Sequence, residues 1–250
     1  MDIKIFALSS SKVWGEQIVQ QLGLKELSKV EEIQFEDGEH MARPIPAVSG
    51  SEIYIIQSLY DEPFHSIHEK LCDLLFFIRA LKDADARRIN LLVPYLAYAR
   101  MDRRNKSQEP VTLRYVAELL EAMGIDKIIS LDVHNLASYE NAFRVPTLHL
   151  EASALFAEVF AKLAPNDEVV VVSPDSGGLK RAEQFRALLS TKLDRTIEMA
   201  FINKNRVELV VRGGEEIIGH VRDRTALIID DMISTGQTIQ LGASFKKSWS

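Results

Sequence analysis

The chain has 250 residues, of which 46% are hydrophobic, enough to bury one large core or two ordinary ones. Its net charge of −6 gives no basic field for a polyanion, which argues against a nucleic-acid partner. No apolar stretch approaches bilayer-spanning length and the N-terminus lacks the pattern of a secretory signal, so a soluble, cytoplasmic protein with no membrane partner is expected. The single cysteine, Cys72, cannot form an internal disulfide; set among Leu71, Leu74 and Leu75, it reads as part of a buried helix face in a reducing compartment.

In chain order, short apolar runs predict strands at 3–8, 53–57, 89–93, 127–131, 168–172, 197–202, 208–211 and 226–229. They are near-continuously apolar rather than alternating, as in parallel sheets covered by helices on both faces. Between them, helical spacing links Ile67, Leu71, Leu74, Leu75, Ile78 and Leu81, and then Leu113, Val116, Leu119, Leu120 and Met123, with Gly124 placed to end that helix. A third helix is expected through Leu155, Phe156, Val159, Phe160 and Leu163, closed by Pro165. All three apolar stripes read as core. The fold class is α/β, with mostly parallel sheets flanked by helices. Strand and helix signals restart after 146–151, which suggests domains at 1–147 and 148–250.

Residues 225–239 carry the most chemistry. The apolar run 226–229 delivers two adjacent acids, Asp230 and Asp231, to a strand end, and a hydroxyl-rich turn with Gly236 follows. Adjacent acids suit the vicinal hydroxyls of a ribose, or a Mg²⁺ near them. Ser234, Thr235 and Thr238, with backbone N–H groups of the turn, suit a terminal phosphate. Together these residues describe a site for a phosphorylated pentose. The plain alternative is an ordinary strand-end turn with solvated acids.

This stretch resembles the phosphoribosyl-pyrophosphate (PRPP) binding loop of phosphoribosyltransferases and of ribose-phosphate pyrophosphokinases. Five upstream motifs resemble the second family and stand in its order: Phe35-Glu36-Asp37-Gly38-Glu39, Tyr98-Ala99-Arg100-Met101-Asp102-Arg103-Arg104, Asp132-Val133-His134, Ser173-Pro174-Asp175-Ser176-Gly177-Gly178 and Lys204-Asn205-Arg206. The resemblance implies two phosphoribosyltransferase-like α/β domains, the second shorter here than in the family. It implies Mg²⁺-dependent transfer of a diphosphoryl group from ATP to ribose 5-phosphate, giving PRPP and AMP. Lys204 and Arg206 take the catalytic positions; Phe35, Asp37, Glu39, Arg100 and Asp102 take the ATP positions, three of them reaching a neighbouring subunit. His134 and Asp175 take the metal positions. Asp230, Asp231, Ser234, Thr235, Gly236, Gln237 and Thr238 take the ribose 5-phosphate positions. A homo-oligomer, dimer or hexamer, is implied with them.

The chain departs from the family pattern at several points. Met101 stands where glutamine is usual, Ser234 where aspartate is usual and Gln237 where glycine is usual, while Lys106-Ser107-Gln108 lacks the arginine of members controlled by phosphate and ADP. The family continues with further strand and helix units beyond the PRPP loop. A second reading is therefore a non-catalytic subunit that keeps the nucleotide and pentose-phosphate sites for binding or regulation. A nucleobase phosphoribosyltransferase would explain the loop but leave the N-terminal half without a role.

Overall fold

A computed structural model describes residues 2–163, 165–203 and 216–233. The chain divides into two compact units, Met1–Leu150 and Glu151–Ser250.

Unit 1 contains β1 (Ile3–Ala7), a 3₁₀ turn (Ser9–Ser11), α1 (Lys12–Gln21), β2 (Val30–Gln34), β3 (His40–Pro44), β4 (Glu52–Ile56) and α2 (Ile67–Asp83). It continues with β5 (Arg88–Val93), α3 (Thr112–Met123), β6 (Lys127–Leu131), α4 (Leu136–Ala142) and β7 (Thr147–Leu150). Five of its strands form one all-parallel sheet in the order β1-β4-β5-β6-β7. The antiparallel β2–β3 hairpin stands apart as its own two-stranded sheet, paired from Val30↔Pro44 to Gln34↔His40.

The sequence reasons for this arrangement are local. Leu71, Leu74, Phe77, Ile78 and Leu81 recur at helical spacing, so α2 buries one continuous face against the sheet. Ser66 caps its start: the hydroxyl accepts from Glu69 N–H at 3.3 Å, and Glu69 returns to Ser66 N–H at 2.7 Å. Phe6 meets Phe77 edge-on at 5.6 Å in the same core. Complete burial of a side chain of this size stabilises by about 1.5–3 kcal/mol. Gly124 ends α3 at φ 104°, a left-handed conformation that glycine adopts without strain.

Unit 2 contains α5 (Ser153–Leu163), β8 (Val169–Ser173), α6 (Leu179–Leu193), β9 (Glu198–Asn203), β10 (Glu216–Ile218) and β11 (Thr225–Ile228). Its sheet order is β10-β9-β8-β11, parallel except for β10 against β9. β8 lies between parallel neighbours and is buried on both faces. Val169 and Val171 pack with Ala182, Phe185 and Leu189, while Val170 and Val172 pack with Ala200 and Ile202.

Three expectations change. Cys72 is exposed: it lies with Phe76, one turn on, on the face of α2 turned away from Leu71, Leu74 and Ile78. The α5 stripe is not core, since Leu155 is 61% and Leu163 78% exposed, and in the α3 stripe Leu119 is also exposed. Helix α5 packs on its neighbours through Ala157 and Phe160, and its apolar arc is wider than the contact it makes. β11 is not enclosed on both faces: Thr225 and Ala226 are exposed, and Leu227 and Ile228 half-buried. Strands β2, β3, β7 and β10 were not anticipated, and the strand expected at 208–211 lies outside the described residues. No helix among the described residues is long and apolar enough to cross a membrane.

Candidate active site

In unit 2, β8 and β11 run side by side, so the residues after them leave the sheet at one edge. Ile229 N–H donates to Val172 carbonyl at 3.2 Å, which extends the pairing until Asp230 and Asp231 emerge beside the end of β8. Asp231 N–H donates to Asp230 Oδ1 at 2.9 Å. Arg181 Nη1 lies 3.7 Å from Asp230 Oδ1 and 3.5 Å from Asp231 Oδ1. Burial pushes the Asp230 carboxyl up from 3.8 to about 6; the neighbouring Asp231 adds to the rise and the Arg181 charge opposes it. Two acids in one place cannot both hold full charge cheaply, and such pairs mark sites that await a cation or hydroxyl donors.

Arg181 is a residue that motif reading did not single out. Its signal was position: in the first turn of α6, just past Gly177-Gly178, it can reach back to the sheet edge. The turn that launches α6 is tight. Buried Ser173 donates its hydroxyl to the Asp175 carbonyl at 2.8 Å, and Asp175 Oδ1 accepts Gly178 N–H at 3.0 Å. A Cβ on Gly178 would lie 2.8 Å from Ser173 Oγ, so glycine is required for that approach. Asp175 is thereby fixed at the end of β8, one strand from the acid pair.

In unit 1, the rim after β5 and β6 carries Arg100, Asp102 and His134. Asp132 turns the chain at φ 44°, and Val133 N–H donates to His149 Nε2 at 3.2 Å. His134 follows, exposed, directly before Asn135, whose side chain caps α4 by accepting Ser138 N–H at 3.1 Å. The Asp102 side chain is 3% exposed and accepts the Ser138 hydroxyl at 2.9 Å. Its carboxylate thus ties the loop carrying exposed Arg100 to the first turn of α4, rather than standing open. Tyr98 sits at φ 64°, unusual for an aromatic residue, and stacks on His68 of α2 at 6.2 Å.

The hairpin tip holds the third group. Phe35 N–H donates to Glu39 carbonyl at 2.8 Å and Gly38 N–H to Phe35 carbonyl at 3.0 Å. The Asp37 carboxylate accepts Glu39 N–H at 3.1 Å. This closed turn leaves the Phe35 ring 48% exposed.

Lys204, Arg206, Ser234, Thr235, Gly236, Gln237 and Thr238 lie outside the described residues. Among the described residues no three His, Cys, Asp or Glu side chains are grouped to hold a metal ion by themselves. A cavity of ≈ 690 Å³ lies beside α1, lined by Lys12, Glu16, Leu27 and Glu31 among others; it contains none of the expected site residues, and the strand-end chemistry outweighs its size.

Parallel α/β units that present acids at strand ends, with a diacid before a hydroxyl-rich stretch of sequence, define a phosphoribosyltransferase-type protein. Residues 3–124 match the N-terminal domain of ribose phosphate pyrophosphokinase, and residues 138–249 match the phosphoribosyl transferase domain. The chain is 37% identical over 98% of its length to ribose-phosphate pyrophosphokinase 2 of Enterococcus faecalis, covering 72% of that protein. It is 38% identical over 97% of its length to the ribose-phosphate pyrophosphokinase of Fusobacterium nucleatum, covering 73%. The crystal structure of phosphoribosylpyrophosphate synthetase from Mycobacterium smegmatis superposes with a TM-score of 0.87 at 29% identity, over 99% of this chain and 77% of that one. The chain belongs to the ribose-phosphate pyrophosphokinase family.

Proposed function

We propose that this protein is a ribose-phosphate diphosphokinase that converts ATP and ribose 5-phosphate to PRPP and AMP. The observation that carries this reading is the Asp230–Asp231 pair at the β11 end, one strand from Asp175, in a chain of this family. In the reaction the anomeric oxygen of ribose 5-phosphate bonds to the β-phosphorus of ATP. The bond from that phosphorus to the oxygen bridging the α-phosphorus breaks, AMP leaves with the bridging oxygen, and the hydroxyl proton is lost. Such a transfer is governed by alignment and charge neutralisation.

The chain supplies both. Phe35 offers a stacking face for the adenine, and Asp37 and Glu39 offer acceptors for its amino group. The Arg100 guanidinium forks to phosphate oxygens. Asp102 acts by holding the Arg100 loop to α4. Asp230 and Asp231 accept from the ribose hydroxyls, with Arg181 limiting their mutual repulsion. Ser234, Thr235, Gly236, Gln237 and Thr238 hold the 5-phosphate, and Lys204 and Arg206 meet charge that develops on the phosphates during transfer.

The donor chemistry fits Mg²⁺. That ion favours one or two carboxylates and completes its shell with water and substrate phosphate, so a three-residue cage is not needed. In unit 2, Asp175 would offer an oxygen donor, with one carboxylate oxygen anchored by Gly178 N–H; in unit 1, His134 would offer a donor on the nucleotide side. When bound, Mg²⁺ neutralises phosphate charge. We further propose a cytoplasmic homo-oligomer, dimer or hexamer, in which the 35–39 loop serves a neighbouring subunit.

The test is direct: purified protein with ATP, Mg²⁺ and ribose 5-phosphate should form AMP and PRPP in equal amounts. Stoichiometric ADP would mean an ordinary kinase. Binding of both substrates by calorimetry with no turnover would establish the non-catalytic reading instead.

A further inference from the structure

The 35–39 loop is the tip of a hairpin that does not belong to the main sheet of unit 1. A stacking ring on such a mount has little value unless its root is fixed, because small misplacements cost large factors in rate or affinity. Glu32, midway along the hairpin, binds Ser9, and at the far end Ile45 N–H donates to Lys29 carbonyl. Near the tip, the last strand pair is Gln34↔His40, directly beside Glu39.

At that root His40 Nδ1 lies 2.8 Å from Asp73 Oδ1, and the other oxygen of the same carboxylate lies 3.2 Å from His65 Nε2. The two imidazole rings stand edge-on at 6.0 Å. The side chains are 19% exposed for His40 and 10% for Asp73. The buried His40 Nδ1 is off the line of a directed hydrogen bond and meets Asp73 by close polar contact. The His65 side is rigid in its own right. Fully buried Lys70 donates to Tyr60 carbonyl at 2.7 Å and to Glu62, Glu62 and His65 exchange backbone hydrogen bonds, and the Ser66–Glu69 cap follows at once.

We infer that Asp73 is a positioning residue: held by His65 on one side, it fixes His40 on the other and so sets where the 35–39 loop presents Phe35. A nearly buried carboxylate needs a cationic or donor partner, and one histidine would serve. Here a second partner comes from the hairpin itself, which makes α2 the strut of the loop. The consequence for catalysis rests on the reading that this loop contacts the nucleotide.

Asp73→Asn keeps the volume and removes the charge. In the full chain, amide exchange at Phe35 and Gly38, whose bonds close the loop, should accelerate about fivefold or more as local opening becomes easier. The KM for ATP should rise roughly tenfold while kcat stays within about twofold, since the loop's contribution is placement of bound nucleotide. Asp73→Glu should recover part of both effects. His40→Gln, on the hairpin and outside the α2 core, should reproduce them even if Asp73→Asn folds poorly. Unchanged exchange at Phe35 and Gly38 in His40→Gln overturns the inference. Phe35→Ala separates the two readings. If it leaves the KM for ATP normal, the nucleotide role of the loop fails while the exchange data still judge the clamp. If it raises KM and neither Asp73→Asn nor His40→Gln does, the clamp alone fails.

Discussion

Several acids of unit 1 and the acid pair of unit 2 are held differently. In unit 1 three carboxylates held away from solvent meet partners at hydrogen-bond distance: Asp126 binds Lys82 Nζ and Ile89 N–H, both at 2.8 Å, Asp102 binds Ser138, and Asp73 sits between two histidines. In unit 2, Asp230 accepts Asp231 N–H at 2.9 Å, and the two acids lie 3.7 and 3.5 Å from one Arg181 guanidinium nitrogen. The first arrangement spends charge on holding loops and helices. The second crowds two acids together, and the raised pKa of Asp230 records what that crowding costs the folded state. A carboxyl whose pKa is pushed up by burial and by a neighbouring acid, as at Asp230, marks a candidate for ligand chemistry.

Charges of the second kind should be felt first in turnover. The largest effect is expected at Lys204, which lies outside the described residues. If its charge acts on the transition state, Lys204→Ala should lower kcat by about 10²–10³, the scale of one preorganised donor, with ATP affinity and melting temperature little changed. Steady-state kinetics beside calorimetric binding would show it. Near wild-type turnover would remove the 204–206 segment from the chemistry.

Charges of the first kind should behave conversely. Asp126→Ala leaves Ile89 N–H and Lys82 without their acceptor and should cost about 1–2 kcal/mol in denaturant unfolding. Substrate KM values should hold. A change in KM with no loss of stability would erase the distinction between the two units.

Gly178→Ala tests the turn that connects both kinds. The added Cβ would meet Ser173 Oγ at 2.8 Å, and Ser173 is buried, so the 173–178 turn must shift. A shift on the order of 1 Å at Asp175 should cost up to about 10²-fold in kcat/KM. Unit 2 should still fold, because its two apolar layers on β8 do not involve the glycine.

Much of this was legible in the sequence, for reasons that differ by element. β6 begins and ends where the apolar run does, and α2 and α3 follow their apolar spacing except at exposed Leu119, because one face of each packs into the unit 1 core. The hairpin strands β2 and β3 were invisible: Val-Glu-Glu-Ile-Gln carries no apolar run, and the pair rests on α2 through few side chains such as Val30 and Ala42. β7, Thr-Leu-His-Leu, is a short edge strand of the same kind. Asp175 and the acid pair could be placed at strand ends because motif and apolar run adjoin. Arg181 could not, since its role depends on the helix direction set by the Gly178 turn. Nor could the engagement of Asp102 with Ser138, 36 residues away.

The finest test of the comparison is the pH dependence of Asp230. Its carboxyl is raised in the folded state from 3.8 to about 6, first by burial and then by Asp231. Between those two values the folded chain holds a proton that the unfolded chain has lost, so stability falls as pH rises through this window and levels off above it. Asp230→Asn cannot ionise, so it should gain on wild type as pH climbs from about 4 to about 6 and match it most closely below that range. Ligand binding runs the other way. Ribose hydroxyls or Mg²⁺ favour the ionised carboxylate, so wild-type affinity for ribose 5-phosphate with Mg²⁺ should tighten as pH rises through about 6. The phosphate of the sugar also ionises near pH ~6, as protein phosphates do, and must be separated. Asp230→Asn does that: its affinity should keep the shallower dependence due to phosphate alone. Titration calorimetry from pH 5 to pH 8 on both proteins gives the two slopes. Equal slopes would mean that Asp230 is as satisfied as Asp126, and the contrast between the two units would fail at its central residue.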